Sequence, residues 1–308
     1  MHWKKFLPII GIALFIYLII KIDVINIYGE IGQINLFYFS LAVILTFGMF
    51  LMQTFKWWYV ARIQNIHIYF WRAVAINTMS HFYGSITPSK AGGIIRAEYL
   101  KAYTPDKNIG HGLFNFTIDK IMDLLAVLFM LILFSFVFRN VIELPVALFI
   151  GMFFIAVIVT LIFMNKQRSK FFLKFFYSRF ISKKYQEKAR ITFDAFYERA
   201  PSKSYLFLFF FLSVINWISI YAVMYVLGLS LGISLSFIHY LAILPLGTIA
   251  GMLPISISGI GTRDAVIISL FGLFGVTAAK VFSMSLINLV LVGLIPSIIG
   301  IIFILREK

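Results

Sequence analysis

The chain has 308 residues, of which 61% are hydrophobic, 18% aromatic and only 13% charged, with a mean hydropathy of +0.96. A soluble globular domain is about half apolar and a quarter charged, so a soluble fold is excluded and the chain reads as an integral membrane protein. The net charge of +15 would suit nucleic acid, but the bases stand in short loops between apolar runs. There they set orientation and meet anionic lipid, so nucleic acid is set aside as a partner.

In chain order, Lys4-Lys5 precede an apolar run over residues 6–20 of signal-peptide length. Lys21-Ile22-Asp23-Val24 follows it in place of a small-residue cleavage site, so a membrane helix is expected. Residues 36–60 form a long span closing on Lys56-Trp57-Trp58-Tyr59, which reads as an interfacial aromatic belt, with Arg62 beyond. Residues 72–100 are apolar but broken by Gly84, Pro88, Gly92 and Gly93, and Arg96, Glu98 and Lys101 close the segment. Spans are expected again at 114–138 and 144–164. The loop 166–203 then carries Lys166, Arg168, Lys170, Lys174, Arg179, Lys183, Lys184, Lys188, Arg190, Arg199 and Lys203 against only Glu187, Asp194 and Glu198. Such a loop is expected in the cytoplasm. Its Phe171, Phe172, Phe175, Phe176 and Phe180 recur at helical spacing, as in a helix lying on an anionic leaflet. A span at 206–229, a broken segment at 237–276 and a span at 278–305 complete the chain.

Counting from the basic loop puts the Arg139 to Glu143 link outside, and Lys4-Lys5 and Arg306 with Lys308 put both termini in the cytoplasm. The broken segment 72–107 then starts and ends inside, and 237–276 starts and ends outside, so each is expected to be a re-entrant hairpin. The fold expected is an all-α integral membrane protein, a single transmembrane domain over 1–308. It has six spanning helices and two re-entrant helical hairpins arranged as an inverted repeat with halves 1–143 and 144–308. The alternative is eight spanning helices.

The two broken segments also match in sequence. Gly84, Ser89, Gly92 and Arg96 fall on Gly251, Ser256, Gly259 and Arg263 at one constant, ungapped offset. Pro254 lacks an N–H and the glycines weaken helix, so the run from Gly251 through Gly259 and Gly261 to Asp264 must satisfy its backbone by other means. Paired broken segments in matching halves point to a transporter-like binding site near the midplane. Inside the span that follows the first hairpin lies Asp119-Lys120-Ile121-Met122-Asp123, with both aspartates on one helix face. Intramembrane charges mark a site with a partner, although a run near a helix end also snorkels to the headgroups. Arg96 and Arg263 offer forked donors to a phosphate, and amides freed beside Gly92-Gly93 and Gly259 suit the same anion. The plainer reading is a pair of structural ion pairs, Arg96 with Glu98 and Arg263 with Asp264.

The histidines are His2, His67, His81, His111 and His239. They have no metal-ligand spacing and mostly flank spans, so they read as interfacial and no metal is expected. His81, inside the first hairpin, is the candidate for proton coupling. With no cysteine, disulfides, thiolate metal sites and cysteine nucleophiles are excluded. No Walker A run, nucleophile elbow or dinucleotide fingerprint is present, and no cofactor is expected.

Three stretches resemble the lysylphosphatidylglycerol synthase transmembrane family over nearly the whole chain. They are Thr87-Pro88-Ser89-Lys90-Ala91-Gly92-Gly93-Ile94-Ile95-Arg96, then Asp119 to Asp123, then Leu244-Pro245-Leu246-Gly247 followed by Leu253 to Asp264. The family's usual Glu-Arg is Asp119-Lys120 here, and its Glu after the second arginine is Asp264. The resemblance implies a flippase-like membrane domain, here a stand-alone member without the synthetase domain, and therefore lipid translocation in the cytoplasmic membrane.

The function expected is transfer between leaflets of an anionic or aminoacylated phospholipid or a polyprenyl-phosphate-linked sugar. Arg96, Lys120 and Arg263 would hold the phosphate, with Asp119 and Asp123 balancing charge or engaging a cationic headgroup. The alternatives are a membrane transferase acting on a lipid phosphate and a non-catalytic helper of a glycosyltransferase. Expected partners are membrane lipids with anionic headgroups and a lipid-modifying enzyme.

Overall fold

With so few charges to interrupt them, the apolar runs fold as helices, which satisfy their own backbone groups in lipid. The computed structural model describes residues 7–87, 90–137, 145–172 and 183–307, and all regular structure among them is helical. The helices are α1 (Leu7–Ile22), α2 (Val24–Gly32), α3 (Leu36–Ile63), α4 (Phe70–Ser85), α5 (Ile95–Lys101), α6 (Ile109–Ser135), α7 (Val146–Phe163) and α8 (Lys183–Glu198). They continue with α9 (Tyr205–Ser230), α10 (Phe237–Met252), α11 (Thr262–Gly272) and α12 (Ala278–Arg306). Among the described residues α3, α7, α9 and α12 are long and apolar enough to cross a membrane, and the bent pair α1–α2 makes a fifth if taken as one span. At 27 residues, α6 has the length of a span, and Asp119, Lys120 and Asp123 lower its hydropathy.

The first apolar run is longer than expected and does not stay straight. Asp23, at φ 72°, ends α1 and its carboxylate accepts the N–H of Ile25 at 3.1 Å, so the chain starts a second helix at an angle of 76°. The residues after Asp23 are thus helical. The aromatic belt is also corrected: Lys56 and Trp57 are buried between helices. Trp57 Nε1 donates to Asn77 on α4 at 3.2 Å, which pulls that face of α3 inward. Lys4, Lys5, Arg139 to Glu143, Lys174, Phe175, Phe176, Arg179, Phe180, Pro88 and Ser89 lie outside the described residues.

Both broken segments form helix pairs. At a rise of about 1.5 Å per residue, α5 with 7 residues and α11 with 11 residues reach only about 10 and 17 Å. A hydrocarbon core is about 30 Å thick, so neither crosses alone. The first segment turns through the 3₁₀ stretch Ala91–Ile94, and α10 packs on α11. The spacing that separates Arg96 from Arg263 also carries α4 onto α10 at both ends, the start of α5 onto that of α11, and the end of α3 onto that of α9. Packing follows the same exchange: α3 lies on α9, α4 on the second half of α12, and α10 on α6. The contact of α4 with α12 is backbone to backbone, because a Cβ at Gly300 would sit 2.3 Å from the carbonyl oxygen of Thr78. Just before it, α12 widens into π turns over Leu289–Leu294, where Pro296 removes an N–H from the helical ladder.

The two hairpins open at opposite ends of the helical body. At one end Arg72, near the start of α4, donates through Nε to the Tyr103 hydroxyl at 3.1 Å and pairs with Glu307. The same end holds Asn65, whose carbonyl accepts from Arg199 at 3.2 Å. At the other end the His239 ring meets Phe274 at 4.9 Å, and the Asn35 N–H donates to the Ser230 carbonyl at 2.8 Å.

Candidate functional site

The sharpest departure from an apolar interior lies where α3, α5 and α6 meet. Lys56 extends from α3 between two carboxylates of α6, 2.9 Å from Asp119 Oδ1 and in contact with Asp123. Arg96, from the first turn of α5, donates through Nη2 to Asp119 Oδ2 at 2.9 Å. Its guanidinium lies 4.8 Å from the Trp57 ring centre and 5.4 Å from that of Phe116, a stacked setting that suits a planar cation. All four charged groups are at most 6% exposed. Four buried charges hold together only because each cation meets a carboxylate, since unpaired each would be strongly destabilising.

Polar side chains behind the cluster hold α3 against α4 and α6. Asn115 donates to the Trp57 carbonyl and to Gln64 Oε1, both at 3.1 Å, and Gln64 donates to the His111 carbonyl at 3.2 Å. Asn77, which receives the Trp57 indole, donates on to Gln53 at 3.2 Å. Lys120 belongs to the same cluster but faces outward. It lies 3.7 Å from Asp119 and 3.5 Å from Asp123 with its side chain half exposed.

The second hairpin presents Arg263 differently. Its Nη2 donates to Asp264 Oδ1 at 3.1 Å and to Ser285 Oγ of α12 at 2.7 Å, and a quarter of its side chain stays exposed. Asp264 is buried and accepts the N–H of Gly261 at 2.9 Å, which starts α11. Arg263 and Asp264 are neighbours in sequence, a poor pairing geometry on a helix face. The contact forms because the Ser285 hydroxyl bridges them, 2.5 Å from Asp264 Oδ1.

The turns bring these groups together. Lys90, at φ 55°, caps the 3₁₀ turn of the first hairpin. It is exposed, and its charge lies within electrostatic reach of Arg263, Lys120 and Asp123. A Cβ at Gly92 would lie 2.1 Å from the Tyr83 carbonyl oxygen, so only glycine lets this turn close; the Gly92 N–H donates to Thr87 Oγ1 at 2.7 Å. Gly93 faces Phe116. Gly259, at φ 83°, lies against the Gly251 backbone, in a conformation that L side chains rarely adopt. Together Lys56, Lys90, Arg96, Lys120 and Arg263 face Asp119, Asp123 and Asp264, an excess of two positive charges.

The remaining expected site residues fall elsewhere. Glu98 pairs with Lys101 on the outer face of α5, apart from the cluster. Ser256 is fully buried and bonded to Thr262 Oγ1 at 2.7 Å, an internal brace of the second turn. Ser89 lies outside the described residues. His81 stands 5.5 Å from the Phe50 ring, and its Nδ1 has no hydrogen-bond partner among the described residues. Its ring lies within electrostatic reach of Lys90 and Lys120. His111, expected at the interface, is fully buried because α8 covers the first turn of α6. Two cations of the centre lacked a role in the sequence reading. Lys90 lies within a glycine-turn motif and Lys56 beside the aromatic run Trp57-Trp58-Tyr59, although a lone base within an apolar helix is itself a signal.

The family described as lysylphosphatidylglycerol synthase TM region matches residues 7–300 of the chain. A search of curated proteins finds no match.

Proposed function

The chain belongs to the lysylphosphatidylglycerol synthase TM region family and is a multi-pass membrane protein, and from that premise we propose that it moves a lipid between leaflets by holding the lipid phosphate between its two hairpin turns. One observation carries this reading: Lys90, Lys120 and Arg263, from the first turn, α6 and the second hairpin, share one region while their side chains keep solvent exposure. Cations grouped between broken helices suit a phosphate. In this reading Arg96 and Lys56 position α5 and α3 through Asp119 and Asp123, and the three outward cations take the ligand.

The hairpins would be the two arms of an inverted repeat. Their matched boundaries and opposite open ends support that arrangement. The end holding Arg72, Lys166, Lys188, Arg199 and Arg306 would be cytoplasmic by its excess of bases. The lipid class is one with a phosphate at the headgroup, whether an anionic or aminoacylated phospholipid or a polyprenyl-phosphate-linked sugar.

Reconstitution in liposomes tests the proposal. Headgroup-labelled phospholipid and a polyprenyl phosphate probe are each placed in the inner leaflet, and the rate at which they reach the outer one is read by quenching. Exchange above that of protein-free vesicles for either probe is expected. Rates equal to empty vesicles for both, with folded protein present, would overturn it.

A further inference from the structure

At the basic end, two carboxylates converge on one buried imidazole. Asp106, in the turn after the first hairpin, places both carboxylate oxygens 3.1 Å from Nε2 of His111. Glu198, in the last turn of α8, brings Oε2 to 3.9 Å from the same nitrogen. His111 is fully buried, so its ring is fixed, while the carboxylates are 43% and 63% exposed. The three ligand atoms lie within 4.8 Å of one another.

The surroundings make this convergence unusual. The chain has 27 lysines and arginines for 12 acids, yet neither Asp106 nor Glu198 pairs with a lysine or arginine among the described residues. Arg199, next to Glu198, turns instead to the Asn65 carbonyl at 3.2 Å. One hydrogen bond accounts for Asp106 beside the imidazole. It does not account for Glu198, whose Oε2 lies 3.9 Å from the same nitrogen, beyond hydrogen-bond distance.

We propose that Asp106, His111 and Glu198 form a binding site for a divalent transition-metal ion of the zinc class, which fastens α8 to the start of α6. Imidazole nitrogen with two carboxylate oxygens is a donor set for such ions. Bonds of about 2.0–2.2 Å would set the donor atoms about 3.0–3.5 Å apart, so only the exposed Glu198 side chain has to close in. The protein supplies three ligands and leaves the remaining position to water. The site is invisible to ligand-spacing motifs because Glu198 comes from a helix distant in sequence.

The consequence is mechanical. α8 already packs tightly on α6, since a Cβ at Gly110 would meet the Thr192 carbonyl oxygen at 2.3 Å. Between them and α7 lies an apolar groove of about 600 Å³ lined by Leu113, Thr117, Phe163, Lys188, Phe193 and Phe196. A metal bond at the Glu198 end would fix the wall of that groove. The proposal does not depend on lipid transport, and a failure of either leaves the other standing.

The test uses the full chain purified with a non-histidine tag and stripped with a chelator. Titration with Zn²⁺, and with Co²⁺ followed by its visible absorption, should give one ion per chain with micromolar or tighter affinity and raise hydrogen-exchange protection across residues 183–198. Because Asp106 and Glu198 are exposed, D106N and E198Q should fold as the native chain does. Each should weaken binding by about tenfold or more, and the double variant should abolish the cobalt spectrum. Absence of a one-to-one ion, equal binding by the double variant, or a preference for Mg²⁺ or Ca²⁺ over Zn²⁺ would overturn the proposal.

Discussion

Arg96 and Arg263 hold the same place in two matching hairpins, each at the start of a short helix after a glycine turn, and their surroundings are opposite. Arg96 is buried against Trp57 and Phe116 and bound to Asp119 on the following long helix. Arg263 leans on its own neighbour Asp264 and on Ser285, with a quarter of its side chain open. At the shared offset, Lys56, Lys90, Asp119 and Lys120 correspond to Val223, Ile257, Leu286 and Ile287. The two segments therefore share the backbone break and the arginine, while most of the charge lies beside the first. Each guanidinium meets one carboxylate, but Arg96 is enclosed by aromatic rings while Arg263 stays partly open.

The comparison breaks first at Asp119. D119N removes the carboxylate that both Lys56 and Arg96 contact and leaves two buried cations short of a partner. A stability loss of about 3–5 kcal/mol is expected, read as a lower melting temperature and reduced folded yield in detergent. The matching change in the other half, L286N, alters no ion pair and should shift melting by much less.

R96Q comes next. Asp119 keeps Lys56 as a partner, so roughly half of that loss is expected. R263Q should destabilise less again, by about 1 kcal/mol, because buried Asp264 keeps the Gly261 N–H and the Ser285 hydroxyl as donors. A larger melting shift for R263Q than for R96Q would reverse the assignment of structural and ligand-facing roles.

The turns offer a comparison of backbone in place of charge. G92A drives a methyl into the Tyr83 carbonyl, and G259A meets the Gly251 backbone at 3.0 Å and also sits at φ 83°. Each should lower stability by about 1–3 kcal/mol. Recovery of the native melting temperature by either would show that its turn relaxes without loss.

The smallest effect belongs to the surface of α8. Lys166 Nζ lies 2.6 Å from Asp194, and this hydrogen bond, with the nearby bases, holds the Asp194 carboxyl below its ordinary value. A carboxylate with a depressed folded value contributes stability above the unfolded value of about 3.9. That contribution is lost as pH falls through the lower folded value. Both side chains are about half exposed, so D194N should cost only about 0.2–0.5 kcal/mol above pH 5 and nothing in strong acid.

Much of this arrangement was legible in the sequence. Glycines and Pro254 marked the breaks, and the constant offset carried helix boundaries from one half to the other. Asp119 and Asp123 stood out because charge is rare in an apolar helix. What stayed hidden depended on side-chain direction and distant contact. Lys56 sat beside Trp57-Trp58-Tyr59 and looked interfacial, yet helix rotation turned it onto α6. Glu98 had the right charge and neighbourhood, but its position on α5 turned it to Lys101. Asp23 ended a helix that composition alone would continue. The approach of Glu198 to His111 joins residues far apart in the chain and left no local pattern.

The most direct measurement compares leaflet exchange, per folded protein, for the native chain and the double variant K120Q/R263Q, with E98Q as a surface control. The double variant is expected to lose at least about tenfold in rate, the effect of removing two charge-assisted contacts to the phosphate, while its melting temperature falls by no more than a few degrees and E98Q exchanges normally. Native exchange by K120Q/R263Q would contradict a phosphate held between the two hairpins.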